Sequence, residues 1–390
     1  MFSFTFSPAI RDFDQVTAAH SVALTQAQQI ADFCALNAAQ LDQTGDFPVV
    51  EFRMLAEAGL LAAPLSQDWG GLGLGSGADG LLTLLELLCH LGRGNLSVGR
   101  VYEGHVNALL LIQTFGTLEQ QLRYSRLVHE QHLFGVWNTE DADGVKLIPL
   151  PNGRYRLLGA KTFASGAGQV TRPLINGALP DGGWQMCVVP LDEVQARIDP
   201  SWWQPLGMRA STSYRIDFSG IELESEDLIG APGDYWRQPW LTGGVVRFAA
   251  VQLGGAEALF AAVRTHLQER GWTEDPYQCT RVGQMGIALA SCRLWLAGCA
   301  QFLQTPTQTA TLVAYANMVR TAVESHCLEV LTLAERAVGA RGLLKPHPLE
   351  RIGRDLTLYL RQPAPDAALA QVGHHLLSQT TPIYAQWDHV

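Results

Sequence analysis

Three short polar clusters lie inside one strand-like stretch of the chain: Asn138-Thr139-Glu140, Lys161-Thr162-Phe163-Ala164-Ser165 and Gly207-Met208-Arg209-Ala210-Ser211-Thr212. Asn138, Thr139 and Ser165 offer an amide and two hydroxyls, and Phe163 a flat aromatic wall. Taken singly, each reads as an ordinary strand residue. His105 stands in a different patch, Tyr102 to Asn107, which is polar within an otherwise apolar helical stretch. Imidazole titrates near neutral pH, so acid or base work is open to it, although a lone histidine is more often structural.

Other patterns carry less chemistry. The seven cysteines (Cys34, Cys89, Cys187, Cys279, Cys292, Cys299, Cys327) are odd in number and scattered, with no Cys-x-x-Cys pair. Buried thiols in a reducing cytoplasm are expected, and no metal site. Gly75-Ser76-Gly77-Ala78-Asp79-Gly80 matches the dinucleotide glycine pattern literally. A helix ending near Gly59 and a Pro-containing loop precede it where a strand is needed, so it reads as a turn between helices.

The elements that must position these groups change character twice. From about residue 131 to 240 the runs alternate or are short and apolar, as in Gly153 to Leu158, Met186 to Pro190 and Tyr214 to Phe218, and Gly, Pro and Asp punctuate them. That is strand and turn grammar. Val49 to Leu61 and Leu81 to Leu91 before it, and Val245 to Gln268, Val282 to Leu303 and Leu312 to Val338 after it, repeat every three to four residues and predict helices. The expected fold is α+β and mostly α, with a helical region 1–130, a β region 131–240 and a second helical region 241–390.

At 390 residues, 47% apolar and only 16% charged, the chain can bury a large core in two or three packed domains and hide further surface in a homo-oligomer. A formal charge of −10 argues against a nucleic-acid partner. Arg11 is the only Lys or Arg in the first fifty-two residues, which suits neither a transit peptide nor a secretory signal. No apolar run reaches about 18 residues, so no membrane partner is expected and a cytoplasmic location is the simplest reading.

Taken in order, Leu60-Leu61-Ala62-Ala63-Pro64 with Trp69-Gly70-Gly71-Leu72-Gly73, then Asn138-Thr139-Glu140, Phe163-Ala164-Ser165, Leu206 to Ser211 and Leu349 to Asp355 resemble successive signatures of the acyl-CoA dehydrogenase superfamily of flavoproteins. The likeness runs from about residue 20 to 378. It implies an N-terminal helical domain, a middle β-barrel-like domain and a C-terminal four-helix bundle enclosing FAD, with FMN as the alternative. Asn138, Thr139, Phe163 and Ser165 would then hold the flavin ring. The resemblance places the cofactor's diphosphate near Arg270, Arg336, Gly339, Arg341 and Gly342, partly across subunits of a homo-oligomer, in the first instance a tetramer. Arginine suits that task because its planar fork bonds oxygens in pairs.

Two departures qualify what the resemblance implies. Family dehydrogenases abstract an α-proton with a glutamate about eight residues past the Arg-Asp element, where this chain has Pro363, or with one just before the bundle's first arginine, where it has Val246 before Arg247. Both base positions are empty, and proline also lacks the N–H that would polarise a thioester carbonyl. Arg247 remains a substrate-binding candidate. Asp275-Pro276-Tyr277-Gln278 with Arg281-Val282-Gly283-Gln284, and His105 on its helix, are similar instead to the superfamily's flavin monooxygenase branch, although Tyr359 and Gln362 stand where that branch carries C-terminal histidines. Three functions follow as expectations. The first is a flavin-dependent oxidoreductase of acyl-CoA dehydrogenase type, acting on an acyl thioester, such as a CoA thioester, or a related activated acid with a relocated base, and served by an electron acceptor. The second is a monooxygenase fed by a flavin reductase, with His105 as acid or base. The third is a non-catalytic flavin-binding scaffold.

Overall fold

The computed structural model describes residues 18–304, 307–382 and 387; residues 1–17, which include Arg11 and the start of the stretch read for targeting, lie outside the described residues. The described residues open with five helices, α1 (Ala18–Thr44), α2 (Val49–Glu57), α3 (Gly77–Gly94), α4 (Leu96–Phe115) and α5 (Leu118–His129). Local chemistry sets the corners between them. Asn95 ends α3 and caps α4, its side-chain oxygen accepting from Ser97 N at 2.8 Å. Thr117 and Gln120 cap each other at the start of α5, satisfying donors that a helix start leaves free.

Ten short strands follow in two sheets: β1 (Phe134–Trp137), β2 (Lys146–Pro149), β3 (Tyr155–Leu158), β4 (Ala160–Ala164), β5 (Arg172–Ala178), β6 (Trp184–Val188), β7 (Arg197–Asp199), β8 (Tyr214–Asp217), β9 (Glu222–Leu223) and β10 (Leu228–Ile229). Seven form a mixed sheet in the order β10-β6-β5-β2-β3-β9, with β1 parallel to β5. The other three form an antiparallel sheet, β4-β8-β7, whose register slips between Lys161 and Ala164. A slip of that kind turns a side chain away from the regular alternation.

After the strands, the described residues form helices α6 (Trp240–Gly243), α7 (Val245–Glu269), α8 (Pro276–Phe302), α9 (Thr309–Val338), α10 (Pro348–Tyr359) and α11 (Pro365–Ser378). α7 is the central rod, packed on α3, α9, α10 and α8. Its approach to α3 is too close for side chains: a Cβ on Gly92 would lie 2.2 Å from Val251 O, and one on Gly254 2.1 Å from Cys89 O. By length and composition the segments Trp240–Glu269 and Pro276–Phe302 could each cross a membrane, a property that single sequence runs did not reveal. In α7 that apolar surface faces protein, since Val246, Ala249, Ala250, Val251 and Leu253 are all buried.

One turn of α10 joins all three regions. Arg354 reaches Asp42 on α1 with two bonds, at 2.7 and 3.1 Å, and also bonds Glu350 and the carbonyl of Leu206. Its neighbour Asp355 accepts from Met208 N at 2.6 Å. Gly207 has no room for a Cβ, which would sit 2.4 Å from the Arg354 backbone. Burial pushes the Asp355 carboxyl up to about 6, against the pull of Arg351 and of the Met208 bond.

His105 belongs to this framework and not to a cavity, which corrects the expectation of an acid or base there. It is fully buried. Its Nε2 bonds the carbonyl of Leu61 at 2.8 Å and its Nδ1 accepts from Phe134 N at 3.1 Å, so the neutral Nε2–H tautomer staples α4 to the loop after α2 and to β1. With both nitrogens committed to backbone, no site remains for a substrate proton. Burial lowers its pKa to about 4, only partly opposed by the Leu61 bond. An unfolded chain would protonate this residue near 6.5, so the stabilisation is complete above that pH and is lost as pH falls toward 4. Between pH 7 and 5 the loss is about 2 kcal/mol. His105→Gln keeps a donor and an acceptor but no titration, so thermal midpoints at the two pH values should fall less in the variant than in the parent. Equal falls would refute the assignment.

Candidate active site

β1 leaves the sheet at Asn138 and Thr139. Asn138 Oδ1 accepts from Asn176 Nδ2 on β5 at 2.9 Å, and its side chain also hydrogen-bonds Tyr235. Thr139 is exposed, and its carbonyl accepts from Thr162 N at 2.8 Å, which lays it beside β4. At the β4 slip Phe163 adopts φ 51° and is 47% exposed, its ring edge-on to Trp202 and Trp203 at 4.9 and 5.9 Å. A left-handed conformation is costly for an aromatic residue and is kept where it re-aims a side chain. Thr139 and Phe163 are thus both exposed, on backbone segments joined through Thr162 beside the two indoles.

Ser165 is nearly buried, and its hydroxyl is spent inward. Ser211 Oγ donates to Met208 O at 2.8 Å, Ser213 Oγ lies 2.7 Å from Ser211 Oγ, and Ser165 Oγ lies 2.9 Å from Ser213 Oγ. Since Ser211 uses its proton on a carbonyl, the chain runs Ser165 to Ser213 to Ser211, and Ser165 keeps only acceptor capacity. Thr139 makes no side-chain bond among the described residues, so its proton is free to donate.

A buried charge cluster adjoins this face through Asn138 and Tyr235. Arg100, Glu103 and Asn107 lie three and four residues apart on α4, which puts them on one side of the helix. Arg100 Nη1 is 2.9 Å from Glu103 Oε2, Arg247 Nε 3.5 Å from Glu103 Oε1, and Arg247 Nη2 donates to Asn107 Oδ1 at 2.6 Å. Glu103 and Arg247 are 5% and 7% exposed. Desolvation lowers the Arg247 pKa and Glu103 opposes it. Two guanidinium groups thus share one carboxylate, and each Glu103 oxygen faces one of them. The buried Tyr359 phenol and Asn176 Oδ1 have no hydrogen-bond partner among the described residues, and unpaired buried groups of this kind mark strain or a ligand.

The remaining candidates fall elsewhere. Val246 is fully buried beside Arg247. Pro363 is exposed past the end of α10, its carbonyl taken by Arg320 Nη2 at 2.6 Å, and Gln362 turns back to Tyr359 O. Neither position can present a carboxylate. Arg270 lies over Trp272, its guanidinium 5.8 Å from the ring centre, and Arg270, Arg336, Gly339 and Arg341 are exposed at or just past the ends of α7 and α9, with Gly342 buried in the next turn. Sequence reasoning passed over Arg100, Glu103, Asn107, Trp202 and Trp203. The heptad-like spacing of the first three was a visible signal, whereas nothing local marks the two indoles.

Known proteins resemble this chain at both levels. The acyl-CoA dehydrogenase N-terminal domain matches residues 19–129 and the acyl-CoA dehydrogenase C-terminal domain residues 246–360. A dibenzothiophene monooxygenase of Mycolicibacterium goodii is 26% identical over 88% of this chain and 90% of its own length. A probable acyl-CoA dehydrogenase of Bacillus subtilis (strain 168) is 27% identical over 86% and 93%. Among solved structures, FMN-bound TdsC from Paenibacillus sp. A11-2 superposes with a TM-score of 0.83 at 23% identity, covering 92% of this chain and 98% of that one. Butyryl-CoA dehydrogenase from Megasphaera elsdenii gives 0.82 at 18%, covering 93% and 99%. The two matched domains span more than half of the chain, and it belongs to the acyl-CoA dehydrogenase family of flavin-dependent oxidoreductases.

Proposed function

We propose that the chain is a flavin-dependent monooxygenase, not an acyl-CoA dehydrogenase. The observation that carries this reading is the lack of a glutamate at either base position: Val246 and Pro363 stand there, and both oxygens of the nearby Glu103 are engaged by Arg100 and Arg247. A positioned base typically contributes about 10²–10⁴-fold to proton abstraction. Oxygen transfer to a substrate needs no such α-proton step. Dibenzothiophene monooxygenases among the relatives support the same direction.

The residues fit a flavin on one face. Phe163, Trp202 and Trp203 form a half-open aromatic surface for a flat ring, the free Thr139 hydroxyl can donate to a ring nitrogen, and Ser165 can accept. Reduced flavin, when bound, supplies the two electrons with which oxygen is activated. Asn138 and Tyr235 orient the adjoining polar wall, Arg247 and Arg100 offer donors to a polar substrate group, and the packed α4–α7 seam excludes water. FMN brought by a separate reductase suits an open binding face better than a permanently enclosed FAD.

The apolar face of α8, where Tyr277, Ile287 and Leu294 are 73%, 70% and 57% exposed, supports burial in a homo-oligomer, proposed as a tetramer with dihedral symmetry. Light scattering at micromolar concentration should give four times the chain mass; a monomer would count against it. Phe163→Ala and Thr139→Ala should each weaken flavin retention by about tenfold, read by equilibrium dialysis, and unchanged retention in both would move the flavin elsewhere. For the reaction itself, butyryl-CoA should not bleach protein-bound flavin anaerobically. Reduced FMN with ¹⁸O₂ should place label in an added dibenzothiophene or indole probe. Rapid bleaching without label transfer would restore the dehydrogenase reading.

A further inference from the structure

A second cleft lies between the loop before the three-residue turn Arg209–Ser211 and the start of α10. Its volume is about 400 Å³, and its walls include Trp203, Gln204, Arg209, Lys345, Glu350 and Arg354. That size lies within the usual range for small-molecule sites, roughly 300–1,000 Å³. Three of these six side chains are cations.

The charges are not balanced inside the cleft. Arg354 is answered by Asp42 and Glu350. Arg209 and Lys345 have no carboxylate within ion-pair distance among the described residues, which leaves an excess positive charge facing the cavity. Burial pushes the Asp42 carboxyl up, yet it stays below its ordinary range because Arg354, Lys345 and Arg209 all pull it down. Both uncommitted cations therefore act on the same small volume.

The loop that carries Arg209 is held in place before any ligand arrives, and Lys345 reaches the cleft from the separate segment before α10. Met208 and Thr212 are both left-handed, at φ 58° and 41°, Met208 N is fixed by Asp355, and the Trp203 indole N–H donates to Arg209 O at 3.3 Å. Such preorganisation lowers the ordering cost of binding. Trp203 also presents a flat wall, and its ring lies 5.9 Å from that of Phe163, so the cleft adjoins the aromatic face described above.

We propose that this cleft binds the phosphate oxygens of an organic phosphate, with Arg209 and Lys345 as the anion ligands and Trp203 as the flat wall beside them. Arg209 supplies a planar fork and Lys345 a point charge, a pairing suited to phosphate oxygens. Arg354 positions the floor and does not act as a free ligand. Two sources present this chemistry, the phosphate end of a flavin and a separate phosphorylated molecule. The site stands whichever oxidation the chain performs.

Inorganic pyrophosphate titrated calorimetrically into the full-length, flavin-free protein at low salt tests the assignment. Wild type should bind, and Arg209→Gln and Lys345→Gln should each weaken binding by about tenfold or more, the scale of one lost charge-assisted bond. Arg264→Gln, an exposed cation on α7, should leave the affinity unchanged, as should all three thermal midpoints. If FMN abolishes pyrophosphate binding and riboflavin does not, the phosphate belongs to the flavin. If pyrophosphate binds equally to FMN-loaded protein, it belongs to a separate ligand. No binding in wild type, or equal weakening by Arg264→Gln, would overturn the site.

Discussion

The Arg354–Asp355 pair on α10 carries an obligation that the rest of the molecule is built to meet. Both are largely removed from water, and a buried charge without partners is far more costly than a paired one. Glu350 on the same helix answers part of Arg354, and the rest is met when α1 brings Asp42 and the loop before Arg209 brings the Leu206 carbonyl. Asp355 is met by Arg351 on one oxygen and, on the other, by the Met208 N–H turned inward. Meeting these demands at once fixes the angle between helices and sheet, and it forces the left-handed backbone at Met208. The faces of the candidate site, which come from all three regions, are registered against one another by that single turn of helix.

A second constraint acts across α4 and α7. Glycine pairs let α3 and α7 approach until backbone meets backbone, and this draws α7 close enough for Arg247 to reach α4. A lone buried guanidinium there would be prohibitive, so Glu103 and Asn107 answer it. The same answer engages both oxygens of the Glu103 carboxylate.

The aromatic face illustrates a different economy. Phe163 is turned outward by a register slip and supported edge-on by two indoles, which spends strain to expose a large apolar ring. Beside it, the directed hydroxyl chain from Ser165 to Met208 O consumes the Ser165 proton, while Thr139 keeps its own. Two hydroxyl residues that look equivalent along the chain thus become one donor and one acceptor.

What the sequence determined alone was the periodicity of its helices, the strand grammar between them, the order of its motifs and the absence of a carboxylate at Val246 and Pro363. These are properties of neighbouring residues or of residue identity, and no packing can supply a missing side chain. Its reading of His105 failed because the patch from Glu103 to Asn107 wraps around α4: His105 and Glu103 are two residues apart and point to nearly opposite sides. Which side faces the site depends on Leu61 and Phe134 taking one face and Arg247 the other. The direction of the serine protons, the gathering of Trp202 and Trp203 around Phe163, and the uncommitted charge of Arg209 and Lys345 were likewise decided by contacts between distant segments. Burial and charge satisfaction belong to the folded whole, and only the tertiary structure assigns them.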